Sequence, residues 1–343
     1  MKFGKAKLTR RSLKLDWKGK KVLVTGAGGF IGSHLVERLV TLGSDVKAFV
    51  RYNSRNDYGL IEELPLHIQN EIEVVTGNLR DSDSVKHAVK GVDIVFHLGA
   101  VISIPYSYIS PDNTVATNVI GTLNVLNAVK EYNVEKMVHT SSSEVYGTAQ
   151  YVPIDEKHPL QAQSPYAASK IGADKLVESY YLSYNLPVTT VRPFNTYGPR
   201  QSSRAVIPTI ITQALTKNKI LLGATHPTRD FSYVEDTVSA FIAAAESPKS
   251  VGEVINFGSG EEITIGDLAN KIISLVGKDV EVICEEKRIR PKKSEVERLL
   301  ADATKAKELL GWAPKVSLTE GLQNTINWIS EHLDKYKVDI YNI

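Results

Sequence analysis

Residues 20–43, KKVLVTGAGGFIGSHLVERLVTLG, decide the fold of this chain of 343 residues. The apolar run 22–24 predicts a short buried strand, and the residues after the glycines predict a helix. Their apolar side chains recur at helical spacing: Ile31, Leu35, Leu39 and Leu42. The turn between strand and helix carries glycine at every third position, Gly26, Gly29 and Gly32. Such a turn brings backbone N–H groups and a helix N-terminus close to phosphates, so it predicts a dinucleotide site.

Strand and helix signals alternate outward from this turn. Four further strands are predicted at 45–50, 72–79, 93–100 and 136–142. Helical patterns are clearest at 81–90, 113–131 and 165–185, and another strand is predicted at 187–194. This alternation predicts an α/β fold of the Rossmann type, a doubly wound parallel sheet, over residues 20–194.

The pattern becomes irregular after residue 194. The segment 195–211 is rich in Pro, Gly and Ser, and we expect it to open a smaller α/β substrate domain over 195–335. Segments near 229–258 again resemble sheet elements, so this C-terminal domain is predicted to interleave with the first. Residues 1–19 are predicted to form a basic N-terminal extension.

The net charge of +2 is unevenly distributed. Residues 1–21 hold nine of the 41 basic residues and one of the 39 acidic ones, Asp16, so the body has 32 basic and 38 acidic residues. An acidic body argues against nucleic acid as a partner. No apolar run approaches the roughly 18 residues of a membrane helix. The single Cys284 suits a reducing compartment, so we expect a cytoplasmic protein.

The end of the second predicted strand bears on cofactor choice. A cofactor without a 2′-phosphate usually meets an acidic side chain there, but the segment 49–54, FVRYNS, has none. Arg51 suits a 2′-phosphate, so NADP is slightly favoured over NAD. Asn78, after the third strand, either caps the next helix or contacts the adenine.

Tyr166 and Lys170 stand four residues apart in SPYAASKIGADKL, residues 164–176. On a helix they share a face, one turn apart. A phenol with an ordinary pKa of about 10 is a poor base at neutral pH, and a neighbouring lysine cation favours the phenolate. The pair is therefore a candidate for taking a proton from a sugar hydroxyl while hydride leaves the carbon.

Hydroxyl groups and a carboxylate follow the fifth predicted strand, in HTSSSEVYG, residues 139–147. The carboxyl ends of strands are where open α/β sheets bind ligands. One of Ser141, Ser142 and Ser143 is expected to bond the same substrate oxygen as Tyr166. Glu144 supplies a second proton acceptor at this edge.

Together these residues resemble the extended short-chain dehydrogenase/reductase superfamily. Further matching segments are HLGA (97–100), NVIGT (118–122), RPFNTYGPR (192–200), RDFSYVED (229–236) and LLGWAP (309–314). The resemblance covers roughly residues 20–330 and implies a nucleotide-sugar substrate with NAD(P) as cofactor. It also implies cofactor contacts from six further residues: Phe30, Ile31, Asn78, Leu79, Leu98 and Ala100.

The resemblance also implies a substrate site. Asn195, Arg229 and Arg290 are the expected pyrophosphate contacts, since a planar guanidinium suits phosphate oxygens. Tyr106 is expected to line the sugar pocket or to pack within its loop. Asn118 is expected to brace the backbone of the active site.

Glu144 favours a 4,6-dehydratase, because epimerases of the superfamily usually lack a carboxylate at that position. Ser142-Ser143-Glu144 resembles the triplet of GDP-mannose 4,6-dehydratase, with Ser where that family usually has Thr. Segments 142–170 and 192–210 are similar to the dehydratase of legionaminic acid biosynthesis, which acts on a nucleotide-linked N-acetylglucosamine. We therefore expect a UDP- or GDP-linked substrate of this kind.

The implied reaction has three stages. Tyr166, with Lys170 and Ser142, removes the C4 hydroxyl proton while C4 is oxidised. Glu144 takes the C5 proton, and water leaves C6 with help from Glu144 or Ser143. Hydride then returns to C6, giving a 4-keto-6-deoxy sugar.

Three rival functions remain open on sequence. A nucleotide-glucuronate decarboxylase uses a similar triplet, a 4-epimerase does not need Glu144, and a nucleotide-binding regulatory protein would keep the fold without turnover. The eight histidines lack metal-ligand spacing, so no metal site is predicted. By resemblance the chain is expected to form a homodimer through helices 113–131 and 165–185.

Overall fold

The computed structural model describes residues 15–338, so residues 1–14 of the predicted extension lie outside it. The strands are β1 Lys21–Thr25, β2 Asp45–Arg51, β3 Ile72–Gly77, β4 Ile94–His97, β5 Lys136–Thr140, β6 Val188–Pro193, β7 Asn195–Tyr197, β8 Lys219–Leu222, β9 Thr228–Tyr233, β10 Val254–Phe257, β11 Glu262–Thr264 and β12 Glu281–Cys284. The helices are α1 Phe30–Thr41, α2 Leu66–Gln69, α3 Ser82–Val89, α4 Ile104–Ile109, α5 Pro111–Val115, α6 Gly121–Glu131, α7 Pro165–Tyr184, α8 Val206–Thr216, α9 Val234–Glu246, α10 Ile265–Val276, α11 Thr304–Leu310 and α12 Leu318–Glu331.

A seven-stranded parallel sheet forms the centre of the described chain, in the order β10-β6-β5-β4-β1-β2-β3. The strand order reverses between β1 and β4, and open α/β sheets bind ligands outside such a reversal. The predicted Rossmann-type sheet is confirmed. Its last strand, β10, comes from a segment that follows the first six strands by about 60 residues.

Two smaller sheets lie outside the central one. Strands β11, β9 and β7 form one of them, with β11 antiparallel and β7 parallel to β9. Strands β12 and β8 pair in parallel as the other. Since β7 begins two residues after β6 ends, the small sheet starts beside the carboxyl edge of the central sheet.

Local sequence explains where α7 begins and ends. The Ser164 hydroxyl accepts a hydrogen bond from the Ala167 N–H, and Pro165 occupies the first turn, where a missing N–H costs nothing. Asn185 ends the helix in the left-handed conformation, with φ of +51°. The ends of α7 are thus fixed by the chain itself, which fixes the position of every side chain along it.

The predicted helix 113–131 is divided. A π-helical turn, Ala116–Ile120, separates α5 from α6. Asn118 lies in that turn, and its side chain bonds the backbone of Val101 rather than facing a regular helical neighbour. Such single turns often occur where a side chain is needed at a functional site.

The predicted extension ends earlier than residue 19. Trp17 is buried, stacks on Phe96 at 6.2 Å between ring centroids, and donates a hydrogen bond from Nε1 to Glu246. The chain is therefore part of the packed core before residue 19, because an indole of this size removes much apolar surface from water.

Residues 15–338 show neither a membrane-spanning helix nor a cluster of metal-ligating side chains. None of the helices there combines the length and apolar character needed to cross a bilayer. The same residues contain no group of three or more His, Cys, Asp or Glu side chains placed to hold a metal ion.

Candidate active site

The glycine turn is packed so closely that side chains are excluded. Gly26 has φ of +71°, and a Cβ there would lie 2.8 Å from the backbone nitrogen of Gly99. A Cβ on Gly32 would lie 2.2 Å from the Gly26 carbonyl oxygen. Gly29 precedes α1 without a side-chain cap, so the first N–H groups of this helix, at Phe30 and Ile31, are available to a phosphate. The turn fits the pyrophosphate of a dinucleotide.

The other predicted cofactor residues line the carboxyl ends of the strands beside this turn. Leu79 is buried against Gly99, and Leu98 and Ala100 flank that glycine in a half-buried position. Asn78 accepts a hydrogen bond from the Arg80 N–H, which holds the turn after β3.

Arg51 ends β2 and is exposed. The acidic side chain nearest along the chain after it, Asp57, accepts a hydrogen bond from the Gly59 N–H and serves its own loop. The end of β2 therefore carries an exposed cation and no acidic side chain.

A chain of neutral hydrogen bonds leads from β1 towards the catalytic helix. The Thr25 hydroxyl lies 2.8 Å from His97 Nδ1, and His97 Nε2 lies 2.9 Å from the Thr122 hydroxyl. Thr122 donates its own proton to the Asn118 carbonyl, so His97 Nε2 must carry the proton and Nδ1 must accept one from Thr25. Burial holds the pKa of His97 well below its usual range, which keeps the ring neutral.

Asn118 continues this chain to α7. Its amide accepts a hydrogen bond from the Val101 N–H at 2.7 Å and donates to the Val101 carbonyl at 3.0 Å. It also donates to the Ser169 hydroxyl, which in turn donates to the Tyr166 carbonyl at 2.7 Å. Asn118 thus braces the backbone of the helix that carries Tyr166, as the sequence predicts.

Tyr166 and Lys170 lie on one face of α7 and are both buried. Lys170 Nζ donates to the Thr140 carbonyl at 2.6 Å, at the end of β5. Burial raises the pKa of Tyr166 to about 12, with the charge of Glu144 acting in the same direction and a hydrogen bond from Ser142 opposing it. Burial also lowers the pKa of Lys170 to about 8.

The effect of Lys170 and an oxidised nicotinamide on Tyr166 stays a prediction, because in the protein alone burial dominates the pKa of the phenol. Desolvation is the largest influence on the pKa of the phenol, because a buried phenolate loses its hydration. Lys170 gives its hydrogen bond to the Thr140 carbonyl. A further positive charge near the phenol is needed to lower its pKa.

The Ser142–Glu144 triplet lies beside the phenol. Ser143 and Glu144 begin a single 3₁₀ turn, Ser143–Tyr146, and Ser142 caps it by accepting from the Glu144 N–H at 3.2 Å. Ser143 is buried, whereas Ser142 and Glu144 are half-buried. The charge of Glu144 acts on both Tyr166 and Arg229, so the carboxylate lies within electrostatic reach of each.

The predicted phosphate contacts come from the small sheet and the loop after β12. Arg229 is buried in β9 and donates to Glu295 at 3.2 Å, and Arg290 Nη1 lies 3.5 Å from the same carboxylate. Asn195 is half-buried at the start of β7 and donates weakly to the Asp230 carbonyl at 3.4 Å. The two arginines converge as predicted, but they share an acidic partner that the sequence did not indicate.

Tyr106 lies in α4 and is half-buried. Its hydroxyl accepts a hydrogen bond from Asn113 at 3.4 Å, which suits packing within its loop. The structure does not bring Tyr106 into hydrogen-bond contact with Tyr166 or Glu144 within the described chain.

A charged network behind α7 was missed by the sequence analysis. Asp174 and Arg192 are buried and paired at 2.9 Å, and His139, Ser141 and Tyr146 bond to this pair. One signal was available, since Asp174 follows Lys170 by the same four residues that separate Lys170 from Tyr166.

The fold and these side chains define an enzyme of the extended short-chain dehydrogenase/reductase class, with a dinucleotide turn, a tyrosine–lysine helix and a hydroxyl–carboxylate loop on one sheet edge. A family model described as GDP-mannose 4,6 dehydratase matches residues 23–325. The chain belongs to this family of nucleotide-sugar dehydratases, epimerases and decarboxylases.

Relatives with different reactions are similarly close. A putative UDP-glucose 4-epimerase of Methanocaldococcus jannaschii is 33% identical over 91% of this chain and 99% of its own. A UDP-N-acetyl-alpha-D-glucosaminuronate decarboxylase of Bacillus cytotoxicus is 35% identical over 91% of this chain and 98% of its own. The crystal structure of dTDP-glucose 4,6-dehydratase from Bacillus anthracis in complex with NAD is 31% identical, with a TM-score of 0.81, and covers 93% of this chain and 99% of that one.

Proposed function

We propose that this protein is a nucleotide-sugar 4,6-dehydratase acting on a UDP- or GDP-linked N-acetylglucosamine or a related hexose. The observation that carries the proposal is the position of Glu144 in the turn that Ser142 caps, directly after β5, at the strand end whose Thr140 carbonyl accepts from Lys170 of the same helix as Tyr166. Oxidation of C4 needs one base, whereas elimination across C5 and C6 needs a second.

Tyr166 acts first, as the acceptor of the C4 hydroxyl proton. Its pKa of about 12 in the protein alone keeps the phenol protonated at neutral pH, so it cannot accept a further proton in that state. An oxidised nicotinamide ring adds the positive charge that lowers this pKa when the cofactor is bound. Ser142 orients the same oxygen, and Lys170 is held beside the end of β5 by its bond to Thr140.

Glu144 acts next, at C5. The C4 ketone makes the C5 proton acidic, and the carboxylate removes it. The C6 hydroxyl leaves as water with a proton from Glu144 or Ser143. The cofactor supplies one function, taking hydride from C4 and returning it to C6, and C5 regains a proton from groups that exchange with solvent.

Substrate diphosphate is assigned to Asn195, Arg229 and Arg290. Arg229 is buried beside Glu295, so a diphosphate competes with this carboxylate for the guanidinium. Exchange of one anionic partner for another leaves the buried cation paired, which avoids the cost of an unpaired charge.

Arg51 favours NADP over NAD as the cofactor, because β2 ends without an acidic side chain. The dehydratase of Bacillus anthracis, in contrast, was solved with NAD. Comparing the two dissociation constants decides between them. We expect Arg51→Asp to weaken NADP binding more than NAD binding, and equal losses would contradict the assignment.

A homodimer is proposed through α5, α6 and α7. Large apolar side chains are exposed on α4, α5, α7 and the π-helical turn before α6: Ile109, Val115, Ile120 and Leu182. Exposed apolar side chains grouped on neighbouring helices are typical of interaction surfaces. Light scattering on the purified chain is expected to give twice the monomer mass, and a monomer would contradict the proposal.

Mass spectrometry of products tests the proposed reaction. The holoenzyme is incubated with UDP-N-acetylglucosamine, GDP-N-acetylglucosamine, dTDP-glucose and UDP-glucuronate. We expect loss of one water from an N-acetylglucosamine nucleotide, with formation of a 4-keto-6-deoxy sugar. Release of carbon dioxide from the glucuronate alone would assign a decarboxylase instead.

A product of unchanged mass would favour the 4-epimerase. In that case Glu144→Gln is expected to remain active, since epimerisation requires no second base. Binding of the cofactor without turnover of any nucleotide sugar would point to a regulatory protein.

A further inference from the structure

Two buried charges lie behind the catalytic helix, and neither has a part in the reaction proposed above. Arg192 of β6 donates from Nη2 to Asp174 Oδ2 at 2.9 Å and from Nε to the same oxygen at 3.2 Å. Both residues are 4% exposed. A buried ion pair contributes little net stability compared with apolar residues of similar size. The pair is therefore expected to have a role other than stabilising the fold.

Asp174 fixes the beginning of the segment that carries the carboxylic acid side chain of Glu144. We call residues 141–146 the acid loop. The Ser141 hydroxyl, at its first residue, donates to Asp174 Oδ2 at 2.8 Å. His139 Nε2 donates to the other oxygen, Oδ1, at 3.1 Å, so both oxygens of the carboxylate are used. Ser142 is the next residue along the chain.

Arg192 fixes the end of the same acid loop. Its Nη1 donates to the Tyr146 hydroxyl at 2.9 Å, and that hydroxyl donates to Asn256 Oδ1 at 2.7 Å. Tyr146 is fully buried, so its ring has no room to shift without its neighbours. The two ends of the acid loop are therefore bonded to two side chains that are bonded to each other.

Asp174 also belongs to the catalytic helix. Tyr166, Lys170 and Asp174 follow one another at four-residue spacing, so they lie along one face of α7. Tyr166 has a separate brace, because Ser169 links its carbonyl to Asn118. Loss of the bonds from the acid loop to Asp174 and Arg192 is thus expected to move Glu144 while Tyr166 stays in place.

We propose that Asp174 and Arg192 form a positioning pair that holds the acid loop against α7 and so sets the position of Glu144 relative to Tyr166. This inference rests on the proposed dehydratase reaction, in which the two groups act on adjacent carbons of one sugar ring. A misplaced Glu144 slows removal of the C5 proton, whereas C4 oxidation depends on Tyr166 and continues.

Single hydroxyl deletions test the pair without breaking it. Ser141→Ala removes the bond at the start of the acid loop, and Tyr146→Phe removes the bond at its end. Tyr180→Phe is the matched control, because Tyr180 lies on the same helix as Asp174 but its hydroxyl bonds Asn127 of α6 at the surface. Each holoenzyme is given the nucleotide sugar that the wild type dehydrates, and cofactor reduction and C5 deuterium uptake are timed in heavy water.

We expect Tyr146→Phe to lower kcat about 100-fold, the loss typical of a displacement of about 1 Å. Its KM should stay unchanged, since the residues assigned to the diphosphate are untouched. Reduced cofactor should accumulate during turnover, because oxidation proceeds while C5 exchange is slowed. Ser141→Ala should show the same pattern more weakly, and Tyr180→Phe should behave like the wild type.

Arg192→Lys is a second test of the pair. Lysine keeps the positive charge but lacks the guanidinium N–H groups that bond both Asp174 and Tyr146. We expect it to reproduce the pattern of Tyr146→Phe. Equal slowing of cofactor reduction and C5 exchange in these variants, or slowing of neither, would overturn the positioning pair alone. A wild type that forms no dehydrated product would overturn the proposed function, and the inference with it.

Discussion

Two hydrogen-bonded networks hold α7 from its two sides, and they differ in charge. On the side of β1 and β4, Thr25, His97, Thr122 and Asn118 form a chain of neutral groups that ends at Ser169. On the side of β5 and β6, the network centres on the ion pair of Asp174 and Arg192. Both networks reach the same helix, one turn or two from Tyr166.

The difference shows two ways to fix the position of a helix, which differ in the free energy needed to bury the groups involved. Burying neutral groups costs little free energy once each is hydrogen-bonded. A buried chain of such groups is therefore sufficient to brace a backbone. An ion pair costs more to bury, but its several donors and acceptors hold more than one segment at a time. The neutral network braces Tyr166, and the charged network joins α7 to the acid loop.

The largest effect on stability is expected from Arg192→Met. This change leaves the Asp174 carboxylate buried without its cation, so the free energy of unfolding should fall by about 3–5 kcal/mol. Urea unfolding followed by circular dichroism measures it. Adding Asp174→Leu to the same chain should recover part of the lost stability. An Arg192→Met variant as stable as the wild type would contradict the difference drawn between the two networks.

Asn118→Ala tests the neutral network and should cost less. It leaves the Val101 N–H and carbonyl without their side-chain partners, so we expect a loss of about 1–3 kcal/mol in the free energy of unfolding. The same urea experiment applies. A loss equal to that of Arg192→Met would show that charge makes no difference between the two networks.

The dependence of stability on pH should separate His97 of the neutral network from Asp174 of the charged network. Burial holds the pKa of His97 below its ordinary 6.5. Just below that pH, His97 is therefore protonated in the unfolded chain but neutral in the folded chain. Stability from this group is therefore lost as pH falls below about 6.5, with a slope of at most about 1.4 kcal/mol per pH unit. His97→Gln should reduce this slope, although His139, whose pKa is also lowered by burial, contributes to it.

Asp174 should act in a lower window. Burial opposes its ionisation, but hydrogen bonds from His139 and Ser141 and the charge of Arg192 bring its pKa from 3.8 to about 2. The stability it provides is present above pH 4 and is lost between about pH 4 and pH 2. Melting temperatures across both windows check the assignment, and an unchanged slope above pH 4 in His97→Gln would contradict it.

Local patterns in the sequence predicted the central parts of the fold. Apolar periodicity and the glycines around Gly26 sufficed for β1, the turn and α1, since each signal lies within about 20 residues. The four-residue spacing of Tyr166 and Lys170 placed both on one helical face. The position of Glu144 after β5 followed from where parallel strands end.

Contacts between distant segments were not predictable in the same way. Tyr146 and Asn256 meet across 110 positions of sequence, and Arg229 meets Glu295 across 66. No local period encodes such pairs. The raised pKa of Tyr166 also depends on burial by the whole fold, which the spacing to Lys170 does not indicate. Trp17 was missed because a single aromatic residue after a basic run carries no periodic signal.

Deuterium incorporation at C5 tests the central claim, that Glu144 is the second base beside Tyr166. The wild type and Glu144→Gln are each incubated with the nucleotide-linked N-acetylglucosamine in heavy water, and the products are analysed by mass spectrometry and NMR. We predict a 4-keto-6-deoxy product carrying deuterium at C5 from the wild type, and reduced cofactor with neither water loss nor C5 exchange from Glu144→Gln. A Glu144→Gln enzyme that turns over as fast as the wild type, or a wild-type product without deuterium at C5, would contradict the claim.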